Sequence, residues 1–311
     1  MSKFLYKIFI SPTTFGQFSF DPINKLQKEG HELSFNELGR KLNNDELEDI
    51  VPHYDGIIAG TENYNRIIIN KSKSLKVISR LGVGLDNIDL EYAKEKNIKI
   101  FKTQTTPAQS VVELTLGLMI DLARKISKQN ENLKSGNWEK EMGFLLNGKT
   151  LGIIGLGIIG KSLVKLVQGL NFKLLAFDIL HDSKFAKVNN VKYCELNDLL
   201  KYSDIISIHL NLNDKTNNII NKNRLQLLKK DSIIINTSRG EIIDEKALYY
   251  LLKNRKIAGA ALDVFNNEPY SGPLNTLDNV ILTPHIGAYA KELRIKMEME
   301  AVENLLRGLN S

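Results

Sequence analysis

The sequence predicts an α/β protein built from two doubly wound parallel-sheet domains, and three observations carry that prediction. Short β-branched runs alternate with helical patterns along the whole chain. Several of these runs are apolar at consecutive positions, as in strands covered by helices on both faces. The chain has 311 residues, long for one core and comfortable for two.

The first half offers five strand runs: YKIFIS, HELSF, DGIIAG, KVISRL and IKIFKT. Amphipathic segments such as DPINKLQKEG and NNDELEDIVPHY lie between them, and each parallel crossover needs such a helix. The second half offers seven: TLGIIG, KLLAFD, VKYC, DIISIHL, SIIINTS, AGAALDV and NVILTP. A long helix is expected from near Pro107 to about Lys134, opened by a first-turn proline and the pair Ser110 and Glu113. It would carry the chain from one domain to the other. The last segment, AKELRIKMEMEAVENLLRGL, reads as an amphipathic helix that can return to the first domain and make it discontinuous.

Composition excludes several classes. Apolar residues make up 42% and charged residues 25%, ordinary for a globular protein. The net charge of +6 comes from scattered lysines without a basic run. This reads as a solvated surface with mild attraction for anions, not a nucleic-acid interface. Cys194 is the single cysteine, so no intrachain disulfide forms, and it reads as inert packing. The N-terminal MSKFLYKIFISPTTFG lacks the features of a signal peptide. Glu113 and Asp121 interrupt the most apolar helical stretch, so no membrane span is expected and a cytoplasmic location is the default. His31, His53, His181 and His209 show no metal-ligand spacing.

The stretch GLGIIG fits G-x-G-x-x-G in its proper context. It follows a strand run and opens a helical run, and about twenty residues on a second strand ends in Asp178. Gly155 permits the tight turn, Gly157 lets the backbone approach a diphosphate, and Gly160 lets helix and strand pack closely. Unpaired N–H groups at the helix start would bind that diphosphate. Asp178 would accept from the adenosine ribose hydroxyls and repel a 2′-phosphate, favouring NAD over NADP. A second glycine pair, in RLGVGLDNID, precedes no phosphate-cradling helix. Its backbone N–H groups could bind a substrate carboxylate beside Arg80, or the turn could simply need positive φ.

NAD implies hydride transfer, which needs a proton donor and a clamp for the substrate. Three late strand ends offer them. Arg239 in INTSRGEIID can hold a carboxylate bidentately. Asp263 and Glu268 lie in ALDVFNNEP, and His285 in ILTPHIGAY. Histidine is the natural acid–base group, and a carboxylate beside it would fix its tautomer and favour its protonated form. Each residue also has a plainer reading: Arg239 as a surface ion pair, Glu268 as a turn residue before Pro269, His285 as a satisfied strand-end histidine. His209 reads as a strand-end residue near the cofactor.

These motifs, with DGIIAGTE and VVELTLGLMIDLARKI, resemble the D-isomer-specific 2-hydroxyacid dehydrogenases over nearly the whole chain. The resemblance implies Arg239, Glu268 and His285 as the catalytic set. It implies cofactor contacts at Gly155, Gly157, Ile158, Ile159, Gly160, Asp178, His209, Thr237, Ser238, Asp263 and Gly287, with Asp263 reaching the nicotinamide amide. Arg80, Val83, Gly84, Arg239 and His285 would meet the substrate. The implied fold is a Rossmann NAD-binding domain over residues 103–283. A discontinuous flavodoxin-like substrate domain would comprise residues 1–102 and 284–311. The family pattern also implies a homodimer joined through the nucleotide domains, with LARKISKQNENLKSGNW in the contact.

Within this family the chain looks closest to the D-3-phosphoglycerate dehydrogenases, in which Arg80 would be a phosphate ligand. Glycerate/hydroxypyruvate or glyoxylate is the alternative substrate pair, and an NAD-sensing, corepressor-like interaction protein the alternative outside catalysis. Two departures stand out: Asn211 where the family often has proline, and Gly60 where some phosphoglycerate dehydrogenases carry a second arginine. Arg66 and nearby lysines are candidates to replace that arginine.

Overall fold

The computed structural model describes residues 5–310. Its elements run β1 (Lys7–Ile10), α1 (Asp21–Lys28), β2 (Glu32–Phe35), α2 (Asn44–Ile50), β3 (Gly56–Ala59), α3 (Arg66–Lys71), β4 (Val77–Arg80), α4 (Leu90–Glu95) and β5 (Lys99–Lys102). Then come α5 (Ala108–Arg124), α6 (Ile126–Lys134), β6 (Thr150–Ile154), α7 (Ile158–Leu166), β7 (Lys173–Phe177), α8 (Ser183–Val188), β8 (Val191–Tyr193), α9 (Leu196–Tyr202) and β9 (Ile205–Ile208). The rest is α10 (Lys222–Leu225), β10 (Ile233–Asn236), α11 (Glu245–Lys253), β11 (Gly259–Leu262), β12 (Val280–Leu282) and α12 (Lys291–Asn310). Every β-branched run read from the sequence forms a strand. The chain divides into two compact units, one from residues up to 106 and from 289 onward, the other from 107 to 288.

In the first unit the strands form one parallel sheet in the order β2-β1-β3-β4-β5. β3 and β4 are buried at every position, which explains their unalternating apolar sequence. Ile57, Ile69 and Ile78 are core residues of this unit, and each such side chain contributes roughly 1.5–3 kcal/mol by leaving water. α12 packs across β3, β4 and β5 and against α1. The winding reverses between β1 and β3, on either side of which the chain leaves the sheet in opposite directions.

The second unit holds a seven-stranded parallel sheet in the order β12-β11-β10-β9-β6-β7-β8. Two apolar clusters fill it: Ile206, Ile234 and Leu248 belong to one, Leu151, Ile153, Leu163 and Met119 to the other. Because all strands are parallel, the loops after β6, β9, β10, β11 and β12 emerge from the same sheet edge. The single helix expected from Pro107 to Lys134 is instead two. Lys125 adopts the left-handed conformation at φ 53° and breaks it. Asp121 then caps the second piece, its Oδ1 accepting from Ser127 N at 2.8 Å. Nor do Ser110 and Glu113 cap the first helix: the Ser110 hydroxyl donates to Gly287 O at 2.7 Å. Among the described residues no helix is long and apolar enough to cross a membrane.

Candidate active site

The glycine turn joins β6 to α7. Gly155 sits at φ +96°, and a Cβ there would meet His209 O at 2.5 Å. A Cβ on Gly160 would lie 2.2 Å from Gly155 O, so only glycine lets the helix rest on the turn. At Gly157 an added Cβ would meet nothing within 4 Å, so this backbone faces open space. Gly157 is also the N-cap of α7 and supplies no side chain to its first N–H groups. Those donors, with Ile158 and Ile159 in the first turn, are placed for an anion. Across the turn, Asp178 follows β7. Its Oδ2 accepts from Leu156 N at 2.7 Å and its Oδ1 from Leu180 N at 3.0 Å. A carboxylate fixed beside the turn suits the ribose hydroxyls of an adenine dinucleotide. The turn, the uncapped helix start and the acid together fit such a cofactor.

The acid–base candidates come from the neighbouring strands β10, β11 and β12. His285 Nδ1 lies 2.9 Å from Glu268 Oε2 and 3.1 Å from Oε1. His285 is one of the few residues other than glycine with positive φ, at 55°. Such a conformation in a bulky residue persists where its surroundings enforce it. The enforcement comes from Asp263 directly after β11. Its Oδ1 accepts from Thr283 Oγ1 at 2.6 Å and Ile286 N at 2.8 Å, and its Oδ2 from Gly287 N at 2.8 Å. Burial raises the Asp263 carboxyl above its usual range, opposed by those three donors and by His285. Asp263 is fully buried and holds the His285 loop. The resemblance implies a nicotinamide contact for Asp263; within the chain its carboxylate ties the loop of His285 to the end of β11.

Arg239 follows β10 by three residues, and its Nη1 donates to Ser238 O at 2.7 Å. The fully buried Asn236 shapes this loop. Its Oδ1 accepts from Ser238 N and Oγ at 3.1 and 2.7 Å, and its Nδ2 donates to Arg239 O at 2.8 Å. Thr237 is buried with its hydroxyl 3.1 Å from that of Thr115. Sequence reasoning did not single out Asn236 or Thr283, although both lie in motifs it quoted. Their signal is a polar side chain at the end of an otherwise apolar strand.

His209 follows β9, and its Nε2 lies 2.8 Å from Ser207 Oγ. Its Nδ1 is sealed from solvent and has no hydrogen-bond partner. Burial pushes this imidazole down to about 4. A neutral histidine beside the glycine turn adds no charge to a diphosphate site. Cys194 is half-buried, and burial raises its thiol, in keeping with inert packing.

The first unit holds the remaining candidates. Arg80 ends β4, is buried, and donates through Nη1 to Leu81 O. Val83 is exposed and Gly84 half-buried in the following turn. Arg66, the candidate replacement cation, sits 3.4 Å from Glu95 and 4.4 Å over the Tyr92 ring.

Residues 116–287 match the family model described as D-isomer specific 2-hydroxyacid dehydrogenase, NAD binding domain. Over 296 residues the chain is 40% identical to a hydroxypyruvate reductase of Thermotoga maritima, covering 91% of this chain and 96% of that one. Over 281 residues it is 41% identical to a D-3-phosphoglycerate dehydrogenase of Methanocaldococcus jannaschii, covering 88% of this chain. That match spans about half, 53%, of the relative's length. A D-lactate dehydrogenase of Aquifex aeolicus, solved with NAD and lactic acid, superposes with a TM-score of 0.80 at 27% identity, covering 96% of this chain and 93% of that one.

Proposed function

The chain belongs to the D-isomer-specific 2-hydroxyacid dehydrogenase family, with NAD as cofactor, and from that premise we propose that it interconverts a small 2-keto acid and the corresponding D-2-hydroxy acid through Arg239, Glu268 and His285. The observation that carries the reading is the His285–Glu268 pair at 2.9 Å, on the same sheet edge as the glycine turn.

When bound, NADH would supply the hydride for the carbonyl carbon. The Arg239 guanidinium binds the substrate carboxylate with paired N–H donors and draws electron density from the adjacent carbonyl. Glu268 accepts from His285 Nδ1–H, which leaves Nε2 to deliver a proton to the carbonyl oxygen. Hydride and proton together convert the ketone to the alcohol. In the reverse direction neutral Nε2 takes the hydroxyl proton. The α7 N-terminus and Gly157 would hold the diphosphate, and Asp178 would hold the ribose hydroxyls. Asp263, Thr283 and Gly287 keep the His285 loop in place, and Asn236, Thr237 and Ser238 do the same for Arg239. Residues 107–288 then carry both the nucleotide turn and the trio Arg239, Glu268 and His285.

Hydroxypyruvate or glyoxylate is the preferred substrate. Gly60 stands where a second phosphate-binding arginine would be, and the hydroxypyruvate reductase relative matches this chain along almost its full length. A second reading, 3-phosphohydroxypyruvate, is favoured by the similarity to a phosphoglycerate dehydrogenase. The protein acts as a homodimer, with exposed Trp138, Met142 and Leu145 in the contact. The test is NADH consumption at 340 nm with hydroxypyruvate, glyoxylate, pyruvate and 3-phosphohydroxypyruvate. Turnover of an unphosphorylated keto acid supports the reading, and an inert enzyme on all four contradicts it.

A further inference from the structure

Arg239 and Glu268 follow different strands, β10 and β11, which pair in parallel. The turns that carry them touch at one place. Gly240–Ile242 form a short helical turn directly after Arg239. A Cβ on Gly240 would overlap the carbonyl carbon of Phe265 and the nitrogen of Asn266, so only glycine lets the two backbones meet. Asn266 stands two residues before Glu268.

The two turns are held in different ways. Behind Arg239, Ile242 and Ile243 are buried. Ile220 N donates to Ile242 O at 3.0 Å, and Asp244 N donates to Ile220 O at 3.0 Å. The Asp244 side chain then caps α11, its Oδ1 accepting from Ala247 N at 2.9 Å. Residues 240–245 thus form a fixed platform. On the other turn, Asn266, Asn267 and Pro269 are exposed on either side of Glu268. Its internal ties are short in range: Phe265 N donates to Glu268 Oε1 at 3.3 Å, and the Phe265 and Tyr270 rings stack at 4.3 Å. Glu245, the first residue of α11, crosses from platform to turn, where its Oε2 accepts from Asn266 N at 3.2 Å. Burial raises this carboxyl above its usual range, opposed by the Asn266 N–H.

We infer that Glu245 is a positioning residue: its side-chain oxygen holds the Glu268 turn on the Gly240 platform, and so sets where the Glu268–His285 pair stands relative to the Arg239 clamp. This rests on the reading of Arg239, Glu268 and His285 as the reacting trio. Arg239 fixes the keto acid by its carboxylate, and His285 delivers a proton to the adjacent carbonyl oxygen. The spacing of the two must therefore match the substrate. A misplacement of about 1 Å, made away from the reacting atoms, can cost about 10²-fold in rate. Glu245 acts through Glu268 and through the place of its acceptor oxygen, so a neutral acceptor of the same length should serve as well.

The test uses the full-length chain with Glu245→Ala, Glu245→Gln and Glu245→Asp. The readout is the single-turnover rate of NADH oxidation at 340 nm, on whichever of the four keto acids the wild type reduces fastest. Glu245→Gln keeps the acceptor in place and loses the charge, and its rate stays within threefold of wild type. Glu245→Asp keeps the charge but draws the acceptor back by one methylene. Its rate falls at least tenfold, as does that of Glu245→Ala, while keto acid KM and NADH affinity stay within threefold because the clamp and the nucleotide turn are untouched. A Glu245→Ala rate within threefold of wild type overturns the inference. So does a KM that rises as far as the rate falls, which marks general loosening. If Glu245→Ala does not fold, the other two variants decide: equal rates, or Asp faster than Gln, overturn the inference and leave the trio standing. A wild type inert on all four keto acids overturns the reductase reading and this inference with it.

Discussion

Nδ1 of His285 faces both carboxylate oxygens of Glu268, at 2.9 and 3.1 Å, from a backbone held in the left-handed region. The two residues leave different strands, β12 and β11, so their meeting is a product of the fold and not of sequence proximity. Asp263 holds the histidine loop through Ile286 N and Gly287 N, which fixes the ring's approach. A carboxylate on one ring nitrogen commits the other to the substrate.

Glu268→Gln keeps the shape of this pair and removes its charge. Loss of one acid–base partner typically costs about 10²–10⁴ in rate. Keto acid reduction should fall by about 10²-fold or more in kcat, while NADH binding, read by nucleotide fluorescence, stays within twofold. A kcat within threefold of wild type removes Glu268 from proton transfer.

Arg239→Lys keeps a positive charge and loses the planar pair of donors. The expected result is a rise of at least tenfold in KM for the keto acid together with a lower kcat, because the clamp also orients the carbonyl. Steady-state kinetics at saturating NADH make the measurement. Unchanged KM and kcat would place the substrate carboxylate elsewhere.

Asp178→Ser removes the carboxylate whose oxygens accept from Leu156 N and Leu180 N. Preference for NADH over NADPH, as a ratio of kcat/KM, should drop at least tenfold, since the like charge against a 2′-phosphate is gone. An unmoved ratio means the adenosine ribose lies away from this residue.

His209 makes stability depend on pH. Its folded value of about 4 lies below the 6.5 of an exposed imidazole. Between these values the unfolded chain binds the proton and the folded chain does not, so stability is full above pH 6.5 and declines as pH falls toward 4. The loss is on the order of 1–3 kcal/mol. Urea unfolding at pH 7 and pH 5 measures it. His209→Asn should reduce the difference between the two midpoints, and an identical difference in the variant assigns the effect to other groups.

Much of the architecture could be read from residues because the determinants are local. Consecutive Ile and Val runs such as Ile233–Asn236 signal strands buried on both faces, and the strand–glycine–helix spacing around Gly157 signals a nucleotide turn. What escaped depends on partners far along the chain. Ser110 reads as part of a helix cap, yet its hydroxyl meets Gly287. Lys125 breaks a helix in a conformation that lysine does not advertise. Asp263 reads by resemblance as a cofactor contact, but its hold on Thr283, Ile286 and Gly287, twenty and more residues on, has no signal in the spacing. Arg80 is legible as a cation, but not as a buried one turned onto Leu81 O. Side-chain direction in a buried loop is set by the cavity around it, which no spacing rule encodes.

The most direct measurement is NADH oxidation by His285→Ala beside the wild type, with hydroxypyruvate as substrate and NADH affinity determined in parallel. Wild-type turnover with a loss of about 10³-fold in the variant, at unchanged NADH affinity, is the expected result. A variant that reduces the keto acid at near wild-type rate would contradict the assignment of the proton to this imidazole.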